Sequence, residues 1–213
     1  MGKGKQSPTI PESSTRKPKH KDCDDSPPST DSAEAKLDSP LFFWKEDEKT
    51  GFLCQWYRCN FTDPEHECLT FSSAEQYMMW RKAMFFNDPT TAAKIMYTSS
   101  PRKQKGLGRA VANFDEAKWA EERLVVVRRG NWLKFTQCTN VASMRMNDKG
   151  EPVPLKDLLL ATGAHELAEA SPFDRVWGIG FKAQDALTVP RAQWGENLLG
   201  KALMDVRGWL RET

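Results

Sequence analysis

The sequence predicts an α+β fold, a helix-rich single domain with short β-strands, preceded by a disordered N-terminal tail. Three observations carry that expectation. Helical patterns outnumber strand patterns along the chain. The strand-like runs, such as Leu41-Phe42-Phe43-Trp44 and Leu69-Thr70-Phe71, are short and scattered, without the regular alternation with helices that marks a doubly wound sheet. Residues 1–40 are rich in Lys, Ser, Pro, Thr and Asp with hardly a large apolar side chain, so they cannot bury enough surface to offset their ordering entropy. The domain is therefore expected over 41–213.

Composition narrows the setting. The 213 residues are 39% hydrophobic with a net charge of +2, so no overall field argues for nucleic-acid or membrane binding. Cysteines at 23, 54, 59, 68 and 138 form no disulfide-like framework, and no apolar run suits a signal peptide or a membrane span. An intracellular protein is expected, in the cytoplasm or the nucleus. The basic cluster Arg16-Lys17-Pro18-Lys19-His20-Lys21 reads as a nuclear address or as a solvated charge run, diluted by Asp22, Asp24 and Asp25. Cys54, Cys59, His66 and Cys68 match no paired zinc module, and the cysteines read as ordinary small core residues, so neither a metal nor a cofactor is expected.

Taken in order, Leu41–Trp44 suits a strand, Glu46–Gly51 a turn, and Leu69–Phe71 a strand feeding the central helix. That helix, Phe71-Ser72-Ser73-Ala74-Glu75-Gln76-Tyr77-Met78-Met79-Trp80-Arg81-Lys82, is apolar nearly all round, the pattern of a buried helix. Asn87-Asp88-Pro89 ends it, and Pro89 opens the next helix, through Ala92, Ala93, Ile95 and Met96. Ser100-Pro101 marks a further boundary. Asp115 is the expected N-cap of a helix carrying Trp119, Arg123, Val126 and Val127 and ending near Gly130-Asn131. Asn147–Pro152 reads as a loop, Leu155–Leu160 as a short helix, Leu167–Ala170 and Arg175–Gly178 as two short strands, and Leu198–Leu210 as a closing amphipathic helix.

Several polar residues admit both a local and a functional role. Ser72-Ser73-Ala74-Glu75 fits a capping box, which would make Glu75 a cap. Seven residues on, Lys82 returns to the same face about 10 Å along the axis, a separation suited to holding a polar ligand between the two charges. Gly106-Leu107-Gly108-Arg109 lacks the spacing of a phosphate-binding loop, and Arg109 either clamps a phosphate or serves helix packing. Asp174 is a turn former or a site carboxylate, Trp119 and Trp177 are core or stacking residues, and Asn197 caps the last helix or reaches the site.

Five segments in series resemble one family. They are Ser73-Ala74-Glu75-Gln76-Tyr77 with Lys82; Gly108-Arg109; Trp119 with Lys134-Phe135; Leu159-Leu160-Ala161-Thr162-Gly163 with Leu167, Glu169 and Asp174-Arg175-Val176-Trp177-Gly178-Ile179-Gly180; and Trp194-Gly195-Glu196-Asn197-Leu198-Leu199-Gly200 with Leu203-Met204 and Arg207. In that order they resemble the NADAR, or YbiA-like N-glycosidase, family over nearly all of 42–211. Two departures stand out. Leu53-Cys54-Gln55-Trp56 replaces the family's Leu-Ser-Asn-Phe, and residues 144–153 look like an insertion.

The resemblance implies hydrolysis of a ribose–base N-glycosidic bond without metal or cofactor. Implied substrates carry ADP-ribose or a phosphoribosyl group: ADP-ribosylated guanine, including that in nucleic acid, or phosphoribosylamino-pyrimidine intermediates of riboflavin synthesis. Glu75 and Asp174 are then the expected catalytic residues. Lys82, Arg109, Trp119, Trp177, Gly178, Gly180, Asn197 and Gln55 are the expected substrate contacts. Bond cleavage passes through an oxocarbenium-like state that a carboxylate stabilises and water traps. At a helix N-terminus Glu75 is expected in its charged form, as electrostatic partner or base, unless an apolar wall reverses this. Asp174 would orient water or protonate the leaving base. Two other classes remain open: an ADP-ribose-binding module without turnover, and a nucleic-acid-associated protein bound through its tail, which a salt titration separates.

Overall fold

The computed structural model describes residues 39–138, 145–147 and 149–213, so the expected tail, apart from residues 39 and 40, lies outside the described residues. Among the described residues, six short strands form three separate pairs. β1 (Leu41–Phe43) runs parallel to β6 (Leu167–Glu169), with Leu41 opposite Leu167 and Phe43 opposite Glu169. β2 (Phe61–Thr62) pairs antiparallel with β3 (Thr70–Phe71), and β4 (Arg145–Met146) with β5 (Pro152–Val153). The last pair makes part of the expected 147–152 loop the turn of a hairpin. Seven α-helices follow among the described residues: α1 (Ala74–Phe85), α2 (Pro89–Tyr97), α3 (Pro101–Arg109), α4 (Glu116–Gln137), α5 (Leu155–Leu160), α6 (Ala183–Ala186) and α7 (Leu198–Glu212). This is the helix-rich α+β architecture that the sequence predicts.

The pattern of α1 explains its place. Nine of its twelve residues are buried, and it packs against α2, α3 and α4. Its start differs from the expected capping box. Ser73 is the N-cap and its hydroxyl accepts from the Gln76 amide, while the Gln76 side chain accepts from the Ser72 amide at 2.8 Å. The box is therefore shifted by one residue and closed by Gln76. Glu75 is released from capping.

Two further expectations are corrected. α4 does not stop near Gly130-Asn131 but runs unbroken to Gln137. Gly130 is there for contact: a Cβ at that position would lie 2.7 Å from Cδ1 of Tyr77, so the glycine lets α4 close on α1. The same junction is held by Asp63, fully buried, which accepts from the Tyr77 hydroxyl at 2.7 Å and from Arg129 at 2.8 Å. Burial alone would raise the Asp63 carboxyl, but these bonds hold it below the usual range.

Residues 175–178, expected as a strand, form a bend instead. Their carbonyls are occupied differently. Arg175, Gly178, Val176 and Trp177 accept from the amides of Glu196, Asn197, Leu198 and Leu199 in turn. Those amides open α7 and would otherwise lack intrahelical partners. Asn197 has a left-handed backbone (φ 52°) and makes no side-chain cap. Its side chain bridges β6, accepting from the Glu169 amide at 3.1 Å and donating to the Leu167 carbonyl at 2.8 Å.

The first turn of α7 lies so close to β6 that a Cβ on Gly200 would sit 2.0 Å from the Leu167 carbonyl and 2.5 Å from the Asn197 amide nitrogen. Neither neighbour is free to yield. Gly200→Ala is expected to destabilise the fold by about 3 kcal/mol, read as a lowered denaturation midpoint.

The main core joins Phe43, Leu53, Phe61, Phe71, Tyr77, Ile95, Leu133, Leu155, Leu159, Leu167, Leu199 and Leu203. A smaller cluster of Ala168, Ala170, Ile179 and Ala186 lies under Phe42, Phe181 and Trp194. β6 separates the two, and Glu169 ends it. Of the cysteines expected in the core, Cys54 and Cys59 are buried but Cys68 is exposed. No helix among the described residues is long and apolar enough to cross a membrane.

Candidate active site

The N-terminal turn of α1, the last residue of β6 and the turn after it bring three carboxyls into mutual range: Glu75, Glu169 and Asp174. Glu75, at 5% exposure, is placed from two sides. Its amide donates to the Gln55 carbonyl at 3.0 Å, and its carboxyl takes a hydrogen bond from the Trp56 side chain. The loop carrying Gln55 and Trp56 is pinned by α4. The fully buried Lys134 ammonium donates to the Cys54 carbonyl at 2.8 Å, and one turn earlier Asn131 donates to the Gln55 side-chain oxygen at 3.0 Å. Asn131 and Lys134 are spaced i,i+3, so one helix face holds the whole loop.

Asp174 is oriented by its own turn. Its Oδ1 accepts from the amides of Val176 at 3.0 Å and Trp177 at 2.8 Å. Gly178 lets this turn reach β6: a Cβ there would lie 2.7 Å from the Glu169 carbonyl and 3.1 Å from that of Asp174. The two carboxylate-bearing segments thus meet because position 178 has no side chain.

The electrostatics follow from burial in a crowded acidic group. Burial pushes the Glu75 carboxyl up to about 7, with Asp174 adding to the rise and Lys105, the Trp56 hydrogen bond and Arg109 opposing it. Burial likewise pushes Glu169 up to about 8, with Asp174 and Glu75 adding and Lys105 opposing. The sequence predicts that the helix N-terminus favours the charged form of Glu75, but loss of solvation outweighs the dipole and brings the carboxyl's titration close to neutral pH. Lys105 and Arg109 stand at i,i+4 on α3 and supply the local positive charge.

The polar atoms here are incompletely used. Oε1 of Glu75, Oε2 of Glu169, Nε2 of Gln55 and Oδ1 of Asn131 are buried with no hydrogen-bond partner among the described residues. Buried polar atoms are nearly always paired, so a group of orphans around two proton-hungry carboxyls marks a place built for a polar ligand.

Of the residues expected at the site, Glu75, Asp174, Arg109 and Gln55 stand in this neighbourhood. Gly178 supports it by close backbone approach, and Asn197 by side-chain bonds to β6. Gly180, at φ +76°, serves the local turn, with the Arg175 side chain packed against it. Trp177 is half-buried against the main core, and its amide serves Asp174.

Lys82 and Trp119 have other surroundings. The Lys82 ammonium lies 3.8 Å from the Phe114 ring centroid and 5.8 Å from that of Trp119, and the charge acting on it is Glu116. Trp119 is buried beside Phe85 and Phe86. Sequence reasoning gave no role to Glu169, Lys105 or Trp56. The signals were present in a lone acid in the apolar run Leu167-Ala168-Glu169-Ala170 and in two cations four residues apart on α3.

A cavity of about 530 Å³ elsewhere, lined by Val125, Arg128, Arg129, Trp132 and Trp209, does not involve these carboxyls. Its arginines are engaged by Asp205 and Asp63. The chemistry points to the acidic cluster and away from that hollow.

The fold is thus a helix-rich α+β domain that carries an acidic cluster beside an arginine–lysine pair. Comparison with known proteins gives the family. Residues 42–211 match the NADAR domain, and the chain belongs to that family. It is 41% identical over 178 residues to an N-glycosidase of Acanthamoeba polyphaga mimivirus, covering 81% of this chain and 96% of that protein. It is 30% identical over 176 residues to a riboflavin biosynthesis protein of Vibrio vulnificus, covering 83% of this chain but 40% of that longer one. The solution structure of E. coli YbiA shares the fold, with a TM-score of 0.61 at 24% identity over 83% of this chain and 87% of that one.

Proposed function

We propose that the protein is an N-glycosidase, hydrolysing the bond between a ribose carbon and a base nitrogen with Glu75, Glu169 and Asp174 as its acidic machinery. The observation that carries this reading is a pair of glutamates, Glu75 buried and Glu169 half-buried, whose carboxyls are pushed up to about 7 and about 8 and which each keep one buried oxygen without a partner among the described residues. Two coupled carboxyls in that range share a proton near neutrality. Lys105, Arg109 and the Trp56 hydrogen bond favour charge on Glu75, whereas Lys105 alone opposes the rise at Glu169. Glu75 therefore carries the negative charge and Glu169 the proton.

The reaction divides accordingly. As the carbon–nitrogen bond breaks, its electron pair leaves with the base, and Glu169 supplies the proton that base needs. The oxocarbenium-like sugar is stabilised by the Glu75 carboxylate. Water then adds to the sugar carbon and its proton passes to Glu75. Asp174, fixed by two backbone amides, orients the water, and its charge keeps Glu169 protonated. The role of acid thus falls to Glu169, and of the two roles the sequence left to Asp174 this reading keeps the orienting of water.

Lys105 and Arg109 are two cations one turn apart, a spacing that suits a diphosphate. We take ADP-ribose linked to guanine as the substrate on that ground. Phosphoribosylamino-pyrimidines are the second reading, favoured by the similarity to the Vibrio vulnificus riboflavin biosynthesis protein. The test is incubation with each substrate in water enriched in heavy oxygen. Release of the free base with one labelled oxygen on the sugar's anomeric carbon is the expected result. Release without label, or binding without release, would overturn the hydrolase reading.

A further inference from the structure

The segments that bear the acidic cluster also carry an aromatic pair that the mechanism above does not use. Phe173 is 87% exposed although it immediately precedes Asp174. Its ring lies 6.3 Å from that of the half-buried Trp44, inclined at 51°. Trp44 directly follows Phe43, whose partner across the parallel strands is Glu169 and whose carbonyl accepts from the Ala170 amide at 2.8 Å. The two rings therefore stand on the segments that carry two of the three carboxyls.

Phe173 is held outward by its backbone. Ser171, buried, accepts from the Phe173 amide through its hydroxyl at 3.4 Å, and Asp174 locks the far side of the turn through the Val176 and Trp177 amides. Pro172 removes a further degree of freedom between them. A phenylalanine kept in water forgoes the gain of burial, so a turn that fixes one there preserves an apolar face for something else. Lys45 adds a cation beside it, its ammonium 5.0 Å from the Trp44 ring centroid.

The geometry points to a stacking subsite in which Phe173 and Trp44 hold a planar heteroaromatic ring of the substrate, with Lys45 facing the phosphate attached to it. This rests on the N-glycosidase reading for the identity of the neighbouring site. Two rings of such a substrate share this chemistry, the base that leaves and the adenine of an ADP-ribosyl group, and the test separates them.

Affinities of the full chain are measured by calorimetric titration for three probes: ribose 5-phosphate, which has no ring, GMP, and ADP-ribose. Wild type is expected to prefer a ring-bearing probe over ribose 5-phosphate by about ten-fold, the usual scale for one base on an aromatic side chain. Phe173→Ala, at an exposed position that spares the core, is expected to erase that preference and leave ribose 5-phosphate unchanged; Phe173→Tyr is expected to restore it. Loss confined to GMP assigns the leaving base, and loss confined to ADP-ribose assigns the adenine.

A ring preference absent from wild type, or intact in both Phe173→Ala and Trp44→Ala, overturns the proposal. A concentration-dependent dimer abolished by Phe173→Ala, with no ring preference, would also overturn it and make the pair a self-association face. Binding needs no turnover, so ring preference without cleavage would count against the hydrolase alone, and cleavage without ring preference against this subsite alone.

Discussion

Glu75→Gln is expected to slow single-turnover base release by roughly a thousand-fold, within the range for removing a positioned acid–base group. The substitution is close to isosteric and can keep the hydrogen bond from Trp56, while losing both the charge that meets the sugar cation and the site that takes the proton of water. It leaves the helix start untouched, because Ser73 and Gln76 close that end between them. A folded variant that cleaves at the wild-type rate would remove Glu75 from the chemistry.

The second large effect is on stability against pH. Folding raises Glu75 from its ordinary 4.5 to about 7 and Glu169 from 4.5 to about 8. The folded state therefore binds these protons more tightly than the unfolded chain. The stability this contributes is full below about pH 4.5 and is lost as pH rises through about 7 and 8. For Glu75 the shift corresponds to roughly 3 kcal/mol. Glu75→Gln and Glu169→Gln are each expected to raise Tm by several degrees at about pH 8.5 and to change it little at about pH 4.5. Denaturation at the two pH values checks this, and an equal pH slope in wild type and both variants would contradict it. A residue whose removal both stabilises the protein and stops the reaction is retained for chemistry.

Legibility differed between parts of the chain for physical reasons. Elements whose apolar period and end signals agree were readable: α1 from its apolar pattern, α2 from Asp88-Pro89, α5 from Leu155–Leu160, and α7 from its Leu and Val spacing. The extent of α4 was not, because a glycine that ends a helix and one that admits a Tyr77 ring look alike in one dimension. Residues 175–178 have strand-like composition, but their carbonyls are taken by the start of α7, a partner some twenty residues away that no local pattern announces.

At the site, Glu75 and Asp174 were visible through motif context and Arg109 through its charge. Glu169 drew no role, because what makes it unusual is burial among other acids, a property of three segments meeting. The same limit explains Glu75's acidity. Proximity to a helix end can be read locally, whereas the loss of water around a side chain cannot.

The backbone bonds between residues 175–178 and the opening of α7 have a consequence for cooperativity. The last helix and the Asp174 turn share one set of hydrogen bonds, with Asn197 extending it to β6. Unwinding the first turn of α7 would release the Asp174 turn and free the strand that ends in Glu169. Two of the three acids therefore depend on the first turn of the C-terminal helix, while Glu75 depends on the start of α1 and the loop that α4 pins. The acidic cluster is assembled from both sets of bonds, and is complete only while both are closed.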